Sequence, residues 1–450
     1  MDLPVTQFRT KAEQAYLDQF VAAEKALPGA ADAWVSELRR KAIEAYGKLG
    51  LPHRRIEAWK YTDLRTALTG AYAPVRVTGL PIDAADVKKA LGERVATLPA
   101  YRLVIVEGEL RADLSDLAGL KAAGVEALSL AQALEKPAGW LKEALGTVNP
   151  RDDDPVLALN TAFMTGGVAL RLPDGLTLDK PIHIVNLDGL GDAASIVTRN
   201  LVLAGAGASA TVIESYGSLG LPALQRNVVT EVRLGDKAAI DHVKFQRETE
   251  GALHLATSLV RLGADARYGV FQFSTGASLS RNQIFARFDG ENSLANISGV
   301  ALQRGRQHCD TTILVEHLVP HCGTRELLKT VLADESRGIF QGKIIVAPGA
   351  QKTDSKQMAQ ALLLGDGAEF DSKPELEIFA DDVVCGHGST SGQIDEDLLF
   401  YLEARGIPDA QARALLIQAF VGEALERVEN DALRDAFAAA SAEWLGVDYD

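Results

Sequence analysis

The order of apolar and polar residues divides the chain into a helical beginning, a β-rich middle and a helical end. Over residues 1–98, apolar residues recur every three or four positions. The clearest series is Trp34, Leu38, Ala42, Tyr46 and Leu49. This period predicts amphipathic helices, and Gly50 followed by Pro52 predicts the end of this one. Residues 99–151 mix a strand-like run with a helical one, so they predict a mixed segment that leads into the β-rich part.

The middle of the chain, from residue 152 to about residue 388, consists of short runs rich in Val, Ile, Thr and Phe that end in glycine turns. Similar turns recur at intervals of 30, 28 and 27 residues, at Gly205, Gly235, Gly263 and Gly290. No helical pattern separates the runs, which argues against strands and helices that alternate around a parallel sheet. Near-regular spacing of short strands predicts the stacked coils of a parallel β-helix, with an antiparallel sandwich or jelly roll as the alternative.

The last part of the chain returns to a helical pattern. The sequence therefore predicts three regions. They are an N-terminal helical domain over residues 1–98, a β-helix core over residues 99–393 that includes the mixed segment, and a C-terminal helical domain over residues 394–450. The apolar faces of the last helices can pack on each other or dock a partner, and the pattern does not choose between the two.

One segment near the C-terminus, from Lys373 to Ile407, carries the strongest signal for chemistry. Its first half alternates like a strand, and the extended run is predicted to continue through Val383 and Val384 to Cys385. Asp395 is a good N-cap for the helix that follows. The β-rich body is thus predicted to end at the thiol.

Cys385 and His387 lie two positions apart, and a glycine stands on each side of the histidine. In an extended backbone the two side chains point to the same face, about 7 Å apart along the strand. A thiolate and an imidazole are suitable ligands for a metal or a cluster, but such sites normally have four ligands. Either the 308–322 segment completes the site, or another chain does, or the pair binds nothing. The residues alone favour the last.

Five His and Cys residues crowd into the fifteen positions of that segment: His308, Cys309, His317, His321 and Cys322. Their spacing matches no common zinc pattern. Adjacent residues of a strand face opposite sides, so His308 and Cys309 are not expected to bind one ion together. Buried cysteines with core or surface histidines explain the segment at least as well as a metal site does.

Composition and missing motifs exclude several classes of function. A net charge of −15 leaves no basic surplus for binding nucleic acid or an anionic membrane. The sequence has no signal-peptide pattern, no apolar run of the ~20 residues that a membrane span needs, and no C-x-x-C pair among its three cysteines. We therefore expect a cytoplasmic protein. P-loop, dinucleotide-binding and nucleophile-elbow motifs are missing too, so we expect no nucleotide hydrolysis and no enzyme of these kinds.

Three stretches of the sequence together resemble the SufB/SufD family of the SUF iron–sulfur cluster assembly system. They are RRIEAWKYTDLR (Arg54 to Arg65), GIFQGKIIVAPGAQKTDSKQ (Gly338 to Gln357) and the segment from Ala361 to Ile407. Within the family the chain is more similar to SufD than to SufB. SufB usually carries N-terminal cysteine motifs that are missing here, and it has a glutamate where this chain has His387.

The resemblance implies a mainly β protein, with a right-handed parallel β-helix flanked by N-terminal and C-terminal helical domains. It implies a non-catalytic scaffold that pairs with SufB through the β-helix and docks the SufC ATPase on its C-terminal helices. The functional cysteine and histidine of the family correspond to Cys385 and His387, which are implied to bind iron or a nascent iron–sulfur cluster at the interface with SufB. Such a cluster is transient and shared, so the isolated chain is expected to hold little or none.

Two other interpretations compete with the scaffold. Polysaccharide lyases and related carbohydrate-active enzymes also use a β-helix, and a stand-alone metal-binding protein could use His308, Cys309 and Cys322. The resemblance leaves open whether the isolated chain forms a homodimer, and whether flavin, iron or persulfide sulfur binds to it.

Overall fold

The structure is a computed structural model that describes residues 9–75, 79, 81–189 and 193–447. Helices outnumber strands in the first third of the described chain. They are α1 (Lys11–Ala23), α2 (Ala33–Leu49), α3 (Leu64–Ala67), α4 (Ala84–Leu91), α5 (Glu93–Ala96), α6 (Leu117–Ala122), α7 (Leu130–Glu135), α8 (Gly139–Ala144) and α9 (Pro155–Phe163). The predicted helix over Trp34 to Leu49 is α2. Its N-cap is Asp32 and its C-cap is Gly50.

The middle of the chain forms strands. They are β1 (Tyr101–Val106), β2 (Glu109–Leu110), β3 (Glu126–Ser129), β4 (Val168–Leu172), β5 (Ile182–Leu187), β6 (Ala194–Ala204), β7 (Ser209–Gly217), β8 (Leu224–Leu234), β9 (Ala239–Arg247), β10 (Ala252–Leu262), β11 (Arg267–Ser274), β12 (Leu279–Phe288), β13 (Leu294–Gln303), β14 (His308–His317), β15 (Gly323–Leu332), β16 (Arg337–Val346), β17 (Asp354–Leu363), β18 (Glu369–Ile378) and β19 (Val384–Gly392). Helices α10 (Glu396–Glu403), α11 (Asp409–Leu425) and α12 (Asp431–Leu445) follow.

Successive strands alternate between two sheets. From β4 onward the even-numbered strands stack in parallel in one sheet, and from β5 onward the odd-numbered strands do so in the other. Strand β1 extends the second sheet in parallel next to β5, while β2 and β3 pair antiparallel at the same end. The result is a parallel β-solenoid of about eight turns, which confirms the predicted β-helix core with flanking helices. Its right-handedness stays a prediction.

Alternate residues of each strand point into the solenoid, and those of neighbouring coils line up in columns. Valine, isoleucine, leucine and alanine fill most of these columns and form one continuous apolar cluster. The outer faces of the sheets are covered in part by helices. Helices α1, α2 and α9 pack on one sheet, and α4, α11 and α12 pack on the other.

The recurring glycines lie at the corners where one strand of a coil ends. At the corner after β8, the Gly235 N–H donates to the carbonyl of Ala204 in the coil below, at 2.8 Å. A Cβ on Gly290 would lie 2.0 Å from the backbone nitrogen of Ala264. Stacked backbones approach too closely here for a side chain, so the regular glycine spacing in the sequence records one corner per coil.

Helix α12 is fixed to the solenoid by stacked aromatic rings. Phe437 stacks on Phe245, Phe271 and Phe273, with ring centroids 5.2–5.8 Å apart. In the described ranges, no helix is long and apolar enough to cross a membrane.

The prediction of one extended run through Val383 to Cys385 is wrong. Strand β18 ends at Ile378, the chain turns a corner, and Cys385 belongs to β19 in the other sheet. The coil below determines this corner, because the Asp382 N–H donates to Gln351 Oε1 at 2.9 Å. Strand β19 also runs past the thiol to Gly392, so the β-rich body does not end there.

Candidate functional site

Cys385 and His387 lie on the last strand of the solenoid and face the same side. They pair in register with Ser355 and Gln357 of β17, whose side chains are buried inside the tube. Because β19 is the final strand of its sheet, no described coil lies above them. The pair therefore marks the end of the tube, in the position where another coil would otherwise continue its interior.

The two side chains differ in exposure. His387 is exposed, whereas Cys385 is half-buried and packs against the apolar interior. Burial raises the pKa of the Cys385 thiol, and the negative charge of Asp354 raises it further, while a backbone hydrogen bond from Ser355 acts in the opposite direction. The imidazole of His387 is therefore accessible for binding, whereas the thiol of Cys385 is only partly accessible.

The end of the tube is narrow because the last two strands approach each other across it. The hydroxyls of Ser389 on β19 and Ser372 on β18 form a hydrogen bond of 2.7 Å. Leu376 and Phe370 of β18 cover the interior from the other sheet. The strand that carries Cys385 and His387 is thus linked to the opposite sheet.

Reasoning from the sequence missed three polar residues that lie directly inside this end: Glu326, Ser355 and Gln357. All three are buried. The relevant pattern is the alternation in TRELLKTVL (residues 324–332). Glu326 shares one face of this strand with Leu328, and Leu327 lies on the other face. Both faces carry apolar residues because helix α11 covers the outer one, so the pattern did not show which face was internal.

A cleft of about 830 Å³ opens beside the pair, between the last odd-numbered strands and helix α11. Cys385, His387 and Met358 line the strand side. Three carboxylates line the helical side and its end: Glu423, Glu426 and Glu429. Arg325, Lys356 and Arg427 line the cleft as well, so it carries charges of both signs beside the pair.

Exposed apolar side chains concentrate at the same end of the molecule. Of the ten large apolar side chains that are exposed in the described chain, eight fall between residues 358 and 415. They are Met358, Ile378, Phe379, Val384, Leu398, Phe400, Tyr401 and Leu415. A concentration of this kind is typical of a surface that binds another protein.

The His and Cys side chains of the 308–322 segment do not point to one common site. His308 faces outward, within 2.9 Å of Thr62 Oγ1, and Cys309 faces into the tube. His317 stacks on Phe288 inside the tube, and Cys322 is buried at a corner. Burial raises the pKa of Cys309 to about 11. Within the described residues no group of three His, Cys, Asp or Glu side chains is close enough to hold a metal.

Charged side chains inside the middle of the tube are paired. Arg226 Nε donates to Glu248, and His254 lies 2.6 Å from the same carboxylate. Lys244 Nζ donates to Asn282 and lies 2.7 Å from His254, and burial lowers the pKa of this lysine to about 8. These contacts offset part of the cost of burial, although both Nη atoms of Arg226 are buried without a hydrogen-bond partner within the described chain.

Comparison with known proteins accounts for nearly the whole chain. Residues 186–420 match the family model described as SUF system FeS cluster assembly, SufBD core domain, and residues 10–184 match the SufBD protein N-terminal region. The chain belongs to the SufBD family. An iron–sulfur cluster assembly SufBD family protein of Synechocystis is 31% identical over 433 residues, with 93% of each chain covered.

Two relatives carry the SufD name. The iron–sulfur cluster assembly protein SufD of Escherichia coli is 30% identical over 391 residues, which is 86% of this chain and 88% of that protein. SufD of Bacillus subtilis is 26% identical over 404 residues, which is 86% of this chain and 89% of that protein. Membership of the SufBD family confirms the resemblance to SUF proteins and replaces the polysaccharide-lyase alternative.

Proposed function

We propose that this chain is a non-catalytic, cytoplasmic scaffold subunit of the SUF machinery that contributes ligands to nascent iron–sulfur clusters. The observation that carries the proposal is the place of Cys385 and His387 on the terminal strand, within the exposed apolar end of the solenoid. Two ligands make half of a four-ligand site, so a partner that covers this end supplies the rest.

In this proposal SufB is the partner on the last coil. Strands β18 and β19 are the outermost strands of their sheets, and the apolar side chains of Phe379 and Val384 beside them are 61% and 62% exposed. Burial of such side chains favours association. The SufC ATPase docks on helices α10 to α12, where Phe400 is 71% exposed.

The two site residues then have different tasks. The imidazole of His387 binds iron first, because it is the exposed member of the pair. The thiol of Cys385 follows and releases its proton when it binds, since the thiolate is the ligand. Iron and sulfide are cargo in this scheme, and the cluster is transient and shared with SufB.

The test is co-purification of this chain with SufB and SufC, followed by anaerobic iron and sulfide analysis. We expect His387→Ala to leave the complex assembled and to lower its cluster content several-fold, because one ligand of the shared site is gone. Thr390→Ala, a change to the outer face of the same strand, is the matched control. Unchanged cluster content in the His387→Ala complex would mean that the chain has a structural role and supplies no cluster ligand through His387.

Size determination of the isolated chain belongs to the same test. The apolar end that we assign to SufB could also pair two copies of this chain, and a homodimer would then form in its absence. Loss of such a homodimer on addition of SufB is expected if both partners use one surface.

A further inference from the structure

The interior of the solenoid changes from apolar to polar over its last coils. Two inward-facing columns of residues in register show the change. One column is Ile297, Glu326, Gln357 and His387, and the other is Ala295, Thr324, Ser355 and Cys385. Each column begins with an apolar residue and ends with a member of the Cys–His pair. The polar part therefore forms a compartment directly beneath that pair.

Five polar atoms in this compartment are buried and have no hydrogen-bond partner within the described chain. They are both carboxylate oxygens of Glu326, both amide atoms of Gln357 and the hydroxyl of Ser355. The three side chains are 4%, 2% and 0% exposed. Buried polar groups are nearly always satisfied, and an unpaired carboxylate is the most costly to leave alone. Five unpartnered polar atoms in one compartment need a physical explanation.

The cations of the neighbouring strands do not supply the missing partner. Lys329, on the outer face of β15, donates to Gln360 and Glu423. Arg325 also points outward and donates to the backbone carbonyl of Asp354 at 2.8 Å. Burial alone acts on Glu326, and it raises the pKa of this carboxyl to about 8. When this carboxyl ionises, no positive charge of the neighbouring strands compensates it.

The unpartnered acceptors have the chemistry of a hard cation site. A carboxylate, an amide carbonyl and a hydroxyl are all oxygen donors, which divalent cations such as Mg²⁺, Mn²⁺ and Ca²⁺ prefer. Gly342 on the opposite sheet lets the amide and the ring of Phe340 approach its backbone, since a Cβ there would lie 2.7 Å from Gln357 Oε1 and 2.5 Å from Phe340 Cζ. Sulfur and nitrogen donors are supplied only one coil further along, by Cys385 and His387.

We propose that Glu326, with Gln357 Oε1 and Ser355 Oγ, forms a divalent-cation site inside the end of the solenoid. Strands of one sheet are about 4.8 Å apart, so this site lies roughly 5–10 Å beneath the Cys–His pair. An ion held there is close enough to pass to the pair. That the ion is ferrous iron awaiting cluster assembly rests on the proposed function, whereas cation binding itself does not.

The test uses Mn²⁺ as a paramagnetic probe with the full chain after removal of metals by chelation. The loss of the free Mn²⁺ signal in electron paramagnetic resonance measures binding. We expect one Mn²⁺ per chain, and binding about tenfold weaker or more in Glu326→Gln, because affinity in oxygen-donor sites follows ligand charge. Glu426→Gln, which removes an exposed carboxylate from the rim of the neighbouring cleft, is expected to bind Mn²⁺ like the unchanged chain.

A second readout reports the carboxyl directly. Because the pKa of Glu326 is raised to about 8, Mn²⁺ binding at pH 7 is expected to release close to one proton per ion. Calorimetry in buffers of different ionisation enthalpy measures this proton, and Glu326→Gln abolishes it. The variant keeps the shape of the side chain, and circular dichroism verifies that it is folded.

Failure of this proposal is distinct from failure of the proposed function. A folded chain that binds no Mn²⁺ at millimolar concentration, or a Glu326→Gln variant that binds as well as the unchanged chain, overturns the cation site. Normal Mn²⁺ binding together with unchanged cluster content in the His387→Ala complex leaves the cation site standing and removes the shared-ligand role.

Discussion

At the scale of single residues, the chemistry of this chain depends on which side of a strand is covered. Cys385 and His387 share one face of β19, yet only the thiol is packed against the apolar interior. Glu326 shares the same column of positions as His387, two coils deeper, and is buried completely enough to hold its proton near neutral pH. Depth along this column therefore separates a buried neutral acid, Glu326, from an exposed imidazole, His387.

The buried carboxyl of Glu326 makes stability depend on pH in a predictable direction. Its pKa is raised from 4.5 to about 8 in the folded chain, so folding retains a proton that the unfolded chain loses in that interval. The unchanged chain then loses stability relative to Glu326→Gln as pH rises from about 4.5 to 8, by about 1.4 kcal/mol per pH unit. Urea unfolding of both chains at pH 5.5 and 7.5, with chelator present, measures the difference.

The matched control for this prediction is Glu426→Gln, because that carboxylate is exposed at the C-cap of helix α11. The difference in stability between Glu426→Gln and the unchanged chain is expected to be small, within about 0.5 kcal/mol, because the side chain is exposed. A Glu326→Gln advantage that is independent of pH would mean that the carboxyl is ionised or solvated in the folded chain.

At the scale of elements, the corners determine how coils stack. The backbone of each coil donates to the backbone of the one below, and the corner glycines allow that approach. The same stacking explains why β18 and β19 are separate strands, since the corner beneath them at Gln351 and Lys352 binds the residues between. An element boundary in a solenoid is therefore set by its neighbour as well as by its own residues.

Two glycine substitutions separate a stacked corner from an open turn. Gly290→Ala places a Cβ 2.0 Å from the backbone of the adjacent coil, and we expect it to lower the free energy of unfolding by about 1–3 kcal/mol or more. Gly349→Ala changes a glycine with no atom within 4 Å of the added carbon, and we expect almost no change. Thermal unfolding of the two variants, side by side, measures both effects. Equal melting temperatures would show that the corners relax without cost.

At the scale of the whole molecule, one end of the solenoid is built to be covered. Its opposite end has β1 to β3 and short helices packed over the core, whereas the last coil exposes apolar side chains and the Cys385–His387 pair. Helices α11 and α12 pack against the sheet on one side, so the exposed part of α10 projects from a fixed support. Under the proposed function, this arrangement separates the surface that pairs with SufB from the surface that docks SufC.

Two double variants test that separation. We expect Phe379→Ser with Val384→Ser to weaken co-purification with SufB, and Phe400→Ser with Tyr401→Ser to weaken co-purification with SufC. Because all four side chains are exposed, each variant is expected to change stability by only about 0.5 kcal/mol per site. Pull-down of each partner, with thermal unfolding as the control for folding, measures both effects. Loss of the same partner in both variants would contradict two separate surfaces.

Local patterns in the sequence predicted much of the architecture correctly. Helix α2 and its glycine stop, the N-cap at Asp395, the three final helices and the periodic corners all depend on neighbouring residues and on backbone sterics, which a single stretch of sequence records. The common face of Cys385 and His387 followed from strand alternation in the same way. These features require no knowledge of distant parts of the chain.

Features that depend on contacts between coils were decided only by the tertiary structure. The break between Ile378 and Val384 comes from the corner of the preceding coil, and the inward face of TRELLKTVL became clear only once helix α11 covered the other side. The column that joins Glu326, Gln357 and His387 spans more than sixty residues of sequence and exists only through strand register. The sequence by itself determined the flanking helices, the short strands and the glycine corners between them. Which polar residues meet inside the tube was decided by stacking, because register is a property of pairs of strands.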